Sequence, residues 1–254
     1  MNSTQKIALV TGGSRGLGKN MALALARKGV HVIITFNNQK DEAEKVVKEI
    51  HALGQKAAAM QLDVTRAKTF DAFFKNVQKE LSETFKTDRF NFLINNAGTG
   101  IHESYTETTE DQFDIMVNTH LKSVFFLTQK ALPMLHDSGA IVNVSTGLAR
   151  FTLPGYDAYA TMKGAVETLT KYQAKTLGTR GIRVNVIAPG AIETDFGGGV
   201  VRDNPEINKF IASQTALGRV GRADDIGSVV AFLCSDDAKW VNAQRLEASG
   251  GMFI

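Results

Sequence analysis

The stretch that decides the fold is "TGGSRGLG", residues 11–18. It follows the apolar run "IALV" at 7–10 and leads into "LGKNMALALARKG" at 17–29, which has helical periodicity and is closed by Gly29. A strand that turns through glycines directly into a helix aims backbone N–H groups and the positive end of the helix dipole at one point, where an anion is stabilised. Gly12, Gly16 and Gly18 permit a tight turn, close approach of a pyrophosphate and close packing of helix on strand. Ser14, Arg15 and Leu17 complete the turn. A glycine-rich string alone carries little; its place between strand and helix, with a second βα unit behind it, points to a dinucleotide.

The pattern repeats outward from there. "VHVIITF" (30–36) precedes the charged helix "KDEAEKVVKEIHALG" (40–54), ended by Gly54. "KAAAMQLDV" (56–64) and "FNFLINNAG" (90–98) are further strands, separated by a helix around 66–84. A helix from about 110 to 134, the strand "GAIVNVST" (139–146), a helix across 156–178 and the strand "IRVNVIAPG" (182–190) follow. A last helix at about 223–234 precedes "AQRLEASGG" (243–251). The strands are apolar without alternation, as in a parallel sheet covered on both faces. Alternating β and α elements argue for an α/β, doubly wound sheet in a single domain spanning 1–254, with no linker or repeat to divide it.

Composition narrows the function. With 254 residues, 43% of them hydrophobic, the chain can bury a full core. Its 29 basic and 26 acidic residues are interspersed and the net charge is +3, so no polybasic run invites nucleic acid or a membrane surface. The single cysteine, Cys234 in "VVAFLC", excludes an internal disulfide and reads as a buried thiol. No apolar run reaches the roughly 18 residues of a membrane span, and a first strand near Lys6 leaves no room for a signal peptide. The expectation is a soluble cytoplasmic protein. The five histidines show no metal-ligand spacing, and no catalytic metal is expected.

The end of the second strand bears on which dinucleotide is bound. A carboxylate there would accept the ribose 2′-hydroxyl of NAD and repel a 2′-phosphate. The sequence has Phe36, Asn37 and Asn38 instead. Arg15 stands where the helix dipole disfavours a cation; a bound phosphate would remove that penalty, while a merely solvated arginine remains the other reading. NADP(H) is expected over NAD(H).

"YATMK" runs from Tyr159 to Lys163. At i and i+4 the phenol and ammonium share one helix face. This is either a surface pair or a phenol whose proton affinity, normally near pKa ~10, is lowered by the cation for acid–base work. Taken together, "TGGSRGLG", "LDV" at 62–64, "NNAG" at 95–98, Asn118 in "VNTHL", YATMK and "PGAIET" at 189–194 closely resemble the motifs of the classical short-chain dehydrogenase/reductase family over essentially the whole chain. The resemblance implies a seven-stranded Rossmann-like fold. It implies that Asp63, with Val64, meets the adenine; that Asn96, Ala97 and Gly98 line the ribose; and that Pro189, Gly190, Ile192 and Thr194 hold the nicotinamide carboxamide. It further implies Tyr159 as the proton donor or acceptor, Lys163 as the cation that favours the phenolate, and Asn118 in a disturbed helix turn holding a water in a relay to Lys163.

In that family a serine usually stands thirteen residues before the tyrosine; here that position is Thr146, with Ser145 beside it. Thr146 is preferred for the active-site hydroxyl, because a one-residue shift along a strand would aim Ser145 away. Leu148, Phe151, Leu153, Tyr156 and Phe196 are the expected substrate pocket, with a flexible lid at about 195–215 hinged on Gly197, Gly198 and Gly199. These groups suit a hydrophobic ketone or secondary alcohol. The alternatives are a 3-oxoacyl-[acyl-carrier-protein] reductase and a non-catalytic dinucleotide-binding regulator. "LPMLHDSGA" (132–140) offers a carrier protein no lysine or arginine, and Arg180 would be a lone docking cation. A homotetramer is expected from apolar residues beyond one stripe in "SVFFLTQKAL" (123–132) and from the ending "GGMFI".

Overall fold

A computed structural model describes residues 5–254. In chain order the elements are β1 (Ile7–Val10), α1 (Gly16–Arg27), β2 (His31–Phe36), α2 (Lys40–Ala52), β3 (Ala57–Gln61), α3 (Phe70–Glu80), β4 (Phe90–Asn95), α4 (Glu110–Met116) and α5 (Ser123–Ala131). Then come β5 (Leu135–Val144), α6 (Asp157–Leu177), β6 (Arg183–Pro189), α7 (Val200–Asp203), α8 (Pro205–Ser213), α9 (Ala223–Leu233) and β7 (Arg245–Ala248). The seven strands form one parallel sheet in the order β3-β2-β1-β4-β5-β6-β7. The order reverses between β1 and β4, and a crevice at the carboxyl ends of these strands is where such sheets bind ligands.

The unbroken apolar strands have a simple cause. Successive side chains point to opposite faces, and here each face has its own core. Ala8, Val10, Val32 and Ile34 pack with Met21 and Leu25 of α1, Ile50 of α2 and Val230 of α9. Ile7, Leu9, Ile33 and Leu93 pack on the other side with Phe70 and Phe74 of α3, Leu127 of α5 and Leu177 of α6.

Three elements depart from expectation. The helix expected over 110–134 ends at Ala131 and is divided by a π-helical turn at 117–122, the disturbed turn in which the resemblance places Asn118. Its start is fixed by a capping box: Thr109 Oγ1 accepts from the Gln112 N–H, and Gln112 Oε1 accepts from the Thr109 N–H. β5 begins at Leu135 rather than Gly139, with an irregular register opposite Phe90 and Phe92 and Ser138 in a left-handed conformation. The segment expected as a flexible lid is helical, consisting of a short turn at 196–199, α7 and α8. Asn204 caps α8 by accepting from the Glu206 and Ile207 N–H groups, and Pro205 fills its first position. Gly197, Gly198 and Gly199 are all left-handed, at φ 61°, 75° and 80°.

Candidate active site

The glycine turn is built by contact with its neighbours. Gly12 has φ 65° and donates its N–H to Thr35 Oγ1 at 3.1 Å; Gly13 donates to the Thr35 carbonyl at 2.8 Å. A Cβ on Gly18 would lie 2.1 Å from the Gly12 carbonyl oxygen, so α1 can lie this close only with glycine there. Asn96 Nδ2 donates to the carbonyls of Thr11 and Gly12 at 2.8 and 3.2 Å, and Thr11 Oγ1 accepts from the N–H groups of Asn96 and Ala97. The Asn96 side chain therefore braces the turn. In the sequence the only signal for Thr11 and Thr35 is position, beside the first glycine and at the end of β2. Across the crevice Thr194 approaches Gly16, whose Cβ would sit 3.7 Å from that of Thr194. Gly190 abuts Ser249, and Ile192 pairs with Gly221.

Arg15 occupies the N-cap of α1, where no side chain caps the helix and no carboxylate lies in the first turn. Asp195 of the lid stands 3.9 Å away, itself paired with Arg202. At the end of β2, Phe36 is buried while Asn37 and Asn38 are exposed. Asp63 Oδ1 accepts from the N–H and hydroxyl of Thr65 at 3.0 and 2.7 Å, fixing the turn after β3. Leu17 and Val64 are half-buried against the two cores, and Ser14 is buried. A glycine cradle that any side chain would fill, a basic helix start and a β2 end without a carboxylate fit a dinucleotide bearing a 2′-phosphate.

Tyr159 and Lys163 lie one turn apart on α6 and are both buried. Lys163 Nζ donates to the Val144 carbonyl at 2.7 Å and stands 5.6 Å from the centre of the Tyr159 ring. The expectation of a phenol lowered by its ammonium neighbour is not met among the protein's own atoms. Burial raises the Tyr159 pKa above its ordinary value, opposed by a hydrogen bond with Thr146. Burial also pushes Lys163 down to about 7. Desolvation is the leading cause of both shifts, because both groups sit in the interior.

The two candidate hydroxyls point apart. Ser145 Oγ donates to Glu167 Oε1 at 2.7 Å. That carboxylate also accepts from Arg245 Nε, and Arg245 pairs in turn with Glu247. Thr146 lies on the Tyr159 side, and its Oγ1 accepts from the Leu148 N–H.

Of the expected pocket residues, Leu148 and Tyr156 pack around Tyr159, and the Phe196 ring lies 5.6 Å from that of Tyr159. Phe151 turns away; its ring meets Phe253 at 4.8 Å in a separate cluster with Ile211 and Met252. Leu153 is half-buried outside both groups. Asn118 is half-buried in the π-helical turn, where its carbonyl accepts from the Ser123 N–H. The side chain of this turn that meets Tyr159 is that of His120, whose ring lies edge to face with the phenol at 5.0 Å. The sequence did carry a signal: His120 lies on the stripe of Met116, Val117 and Leu121, where a polar residue is out of place.

A parallel sheet with a glycine cradle at its switch point, and a buried tyrosine–lysine pair beside it, define a nicotinamide-dependent oxidoreductase. Comparison with known proteins agrees. Residues 12–253 match the family model described as enoyl-(acyl carrier protein) reductase. A 3-oxoacyl-[acyl-carrier-protein] reductase of Staphylococcus aureus is 37% identical over 98% of both chains. A hydroxynaphthalene reductase-like protein of Metarhizium brunneum is 35% identical over 97% of this chain and 94% of its own. Among solved structures, an angucycline C-6 ketoreductase with bound NADP superposes with a TM-score of 0.93 at 33% identity, covering 98% of this chain and 95% of its own. The chain belongs to the short-chain dehydrogenase/reductase family and is an NAD(P)-dependent oxidoreductase acting on CH–OH and C=O groups.

Proposed function

We propose that this chain is an NADPH-dependent reductase of a hydrophobic ketone. The observation that carries the reading is the setting of Tyr159: a buried phenol beside Thr146, walled by Leu148, Tyr156 and the ring of Phe196. A phenol held above its ordinary pKa carries its proton at neutral pH and has it to give to a carbonyl oxygen. Arg15, Gly12, Gly16 and Gly18 hold the pyrophosphate side of the coenzyme, with Asn37 and Asn38 near its 2′-phosphate. Asp63, Gly98, Pro189, Ile192 and Thr194 complete the cleft. The coenzyme supplies the hydride. Thr146 holds the carbonyl oxygen, Tyr159 protonates it as negative charge develops, and a protonated Lys163 favours the phenolate left behind. The single family chain of 1–254 holds all of these groups.

The test is a panel of ketones with each coenzyme. Wild type should turn over a hydrophobic ketone with NADPH and lose at least about 10²-fold in kcat as Tyr159→Phe. Arg15→Ala should lower kcat/KM for NADPH and leave NADH nearly unchanged. Wild type that uses NADH equally well or better overturns the coenzyme assignment.

The second reading, a 3-oxoacyl-[acyl-carrier-protein] reductase, is favoured by the 37% identity to the Staphylococcus aureus protein. Against it, Arg180 has no free docking charge to offer. Its guanidinium donates to Asp137 and to the carbonyls of Leu132 and Leu135. Reduction of an acetoacetyl thioester at least tenfold faster on the carrier protein than on a small thiol would select this reading.

A further inference from the structure

We propose that Arg245 is a positioning residue for this reaction: a guanidinium held between Glu167 and Glu247 that grips the Thr146 carbonyl and so aims the Thr146 hydroxyl at Tyr159. The inference rests on the reductase reading and extends the site to β7.

Thr146 needs a hold that the sheet does not give. The last ladder pair between β5 and β6 is Val144 with Ile187, and the Ser145 N–H closes it on the Ile187 carbonyl at 2.8 Å. Thr146 is still extended, at φ −158° and ψ 155°, but the chain turns away at Gly147. Its Oγ1 accepts from the Leu148 N–H at 3.3 Å, which leaves the hydroxyl its own proton to donate across the site. Its carbonyl accepts from the Ala149 N–H at 3.3 Å and from Arg245 Nη2 at 3.2 Å. The Arg245 bond comes from outside the turn, 99 residues further along the chain.

Arg245 is itself fixed on two sides. Its Nε donates to Glu167 Oε1 at 2.6 Å and its Nη1 to Glu247 Oε2 at 2.8 Å. The side chains of Arg245, Glu167 and Glu247 are only 24%, 19% and 17% exposed, so these charge-assisted bonds are largely desolvated. A planar guanidinium with Nε and Nη1 engaged has its remaining donor aimed in one direction. Ser145 Oγ donates to the same Glu167 oxygen at 2.7 Å, but it is a neutral donor, and Arg245 holds the carboxylate without it.

Beyond Glu247 the charges continue to the end of the chain. Glu247 accepts from Arg150 Nε and Nη2 at 2.8 and 2.6 Å and from Ser249 Oγ at 2.8 Å. Arg150 also donates to the carbonyls of Met252 and Phe253 at 2.6 and 3.1 Å. Arg150, with Arg245 and Ser249, holds the Glu247 carboxyl down to about 2 against the effect of burial, so it stays ionised at neutral pH. Two cations and two anions so little exposed are costly to assemble, and apolar side chains would join β7 to α6 as firmly. What apolar packing cannot supply is a donor at a set angle on the Thr146 carbonyl. Misplacing a catalytic group by 1 Å costs on the order of 10² in rate.

A double-mutant cycle separates aim from packing. Arg245→Met removes the grip and leaves a long side chain in its place. With NADPH and a ketone that wild type reduces, it should lose about 10- to 100-fold in kcat, with KM and NADPH affinity within about threefold. In the Thr146→Val background, which has no hydroxyl to aim, the same change should cost less than about threefold. An arginine that only supports the fold costs the same in both backgrounds. A kcat for Arg245→Met within threefold of wild type, or equal losses in the two backgrounds, overturns the proposal. Should Arg245→Met not fold, Arg245→Lys is read in the same two backgrounds against the same outcomes. Its ammonium still pairs with the carboxylates but has no fork to fix a direction. Wild type that reduces no ketone fails the reductase reading instead, and crystal structures of wild type and the folded Arg245 variant then decide. Thr146 Oγ1 turned away from Tyr159 in the variant supports the proposal; an unmoved Thr146 refutes it.

Discussion

At the scale of single residues, neighbours in sequence do different jobs because a strand alternates its faces. Ser145 and Thr146 are adjacent hydroxyls, yet one is bonded to Glu167 and the other lies on the side of Tyr159. Thr146→Val should therefore lose roughly 10²–10³ in kcat, the worth of one oxyanion donor, while Thr146→Ser stays active. Ser145→Ala leaves a carboxylate with one donor fewer, so it should cost about 1 kcal/mol in urea unfolding and change kcat little. Full activity in Thr146→Val together with a dead, folded Ser145→Ala would reverse the assignment. Lys163 gives a second residue-level expectation. Its folded pKa of about 7 lies below its ordinary 10.5. Between those values the unfolded chain holds the extra proton, so stability rises with pH across the window and the burden of burying Lys163 is greatest below pH 7. The stability gained by Lys163→Met over wild type should shrink by about 3 kcal/mol between pH 6 and pH 9. A difference that does not change with pH would show that Lys163 is not desolvated.

At the scale of elements, glycines decide how closely two pieces of backbone approach. A Cβ on Gly18 would collide with the Gly12 carbonyl oxygen, a backbone atom held in place by Asn96 Nδ2. Gly18→Ala must shift α1 off the turn. It should weaken NADPH binding at least about tenfold by fluorescence titration and destabilise by about 1–3 kcal/mol. Unchanged affinity in the folded variant would detach the turn from the coenzyme. The lid teaches a complementary lesson. Three left-handed glycines read as a flexible loop, but Asn204 and Pro205 are a strong helix start, and α8 follows.

At the scale of the molecule, α4, α5 and α6 expose Phe113, Ile115, Phe125, Phe126 and Tyr172. Apolar rings left in water on neighbouring helices favour assembly. The "GGMFI" ending is partly spent at home: Met252 is buried beside Ile211, and Phe253 meets Phe151. Only Ile254 is left fully exposed at the tail. Light scattering at micromolar concentration should give four times the 27.5 kDa chain mass, and Phe125→Glu with Phe126→Glu should lower it. A monomeric wild type would refute the tetramer.

Strand and helix order, the doubly wound sheet and the Tyr159–Lys163 pair were legible because they depend on local periodicity and fixed spacings: apolar runs of 4–6 residues, glycines after helices, and two residues one helical turn apart. Among the described residues no helix is long and apolar enough to cross a membrane, which the hydropathy pattern alone had indicated. What only the tertiary structure decided are contacts between segments far apart in the chain. His120 gains its place from Gly98 and Tyr159, Ser145 is bonded to a carboxylate of α6, and Phe151 is drawn to the C-terminal tail. The balance of charge in the site was decided the same way. The sequence puts a lysine one turn from a phenol, but only burial decides that desolvation shifts both toward their neutral forms, and burial is a property of the packed chain.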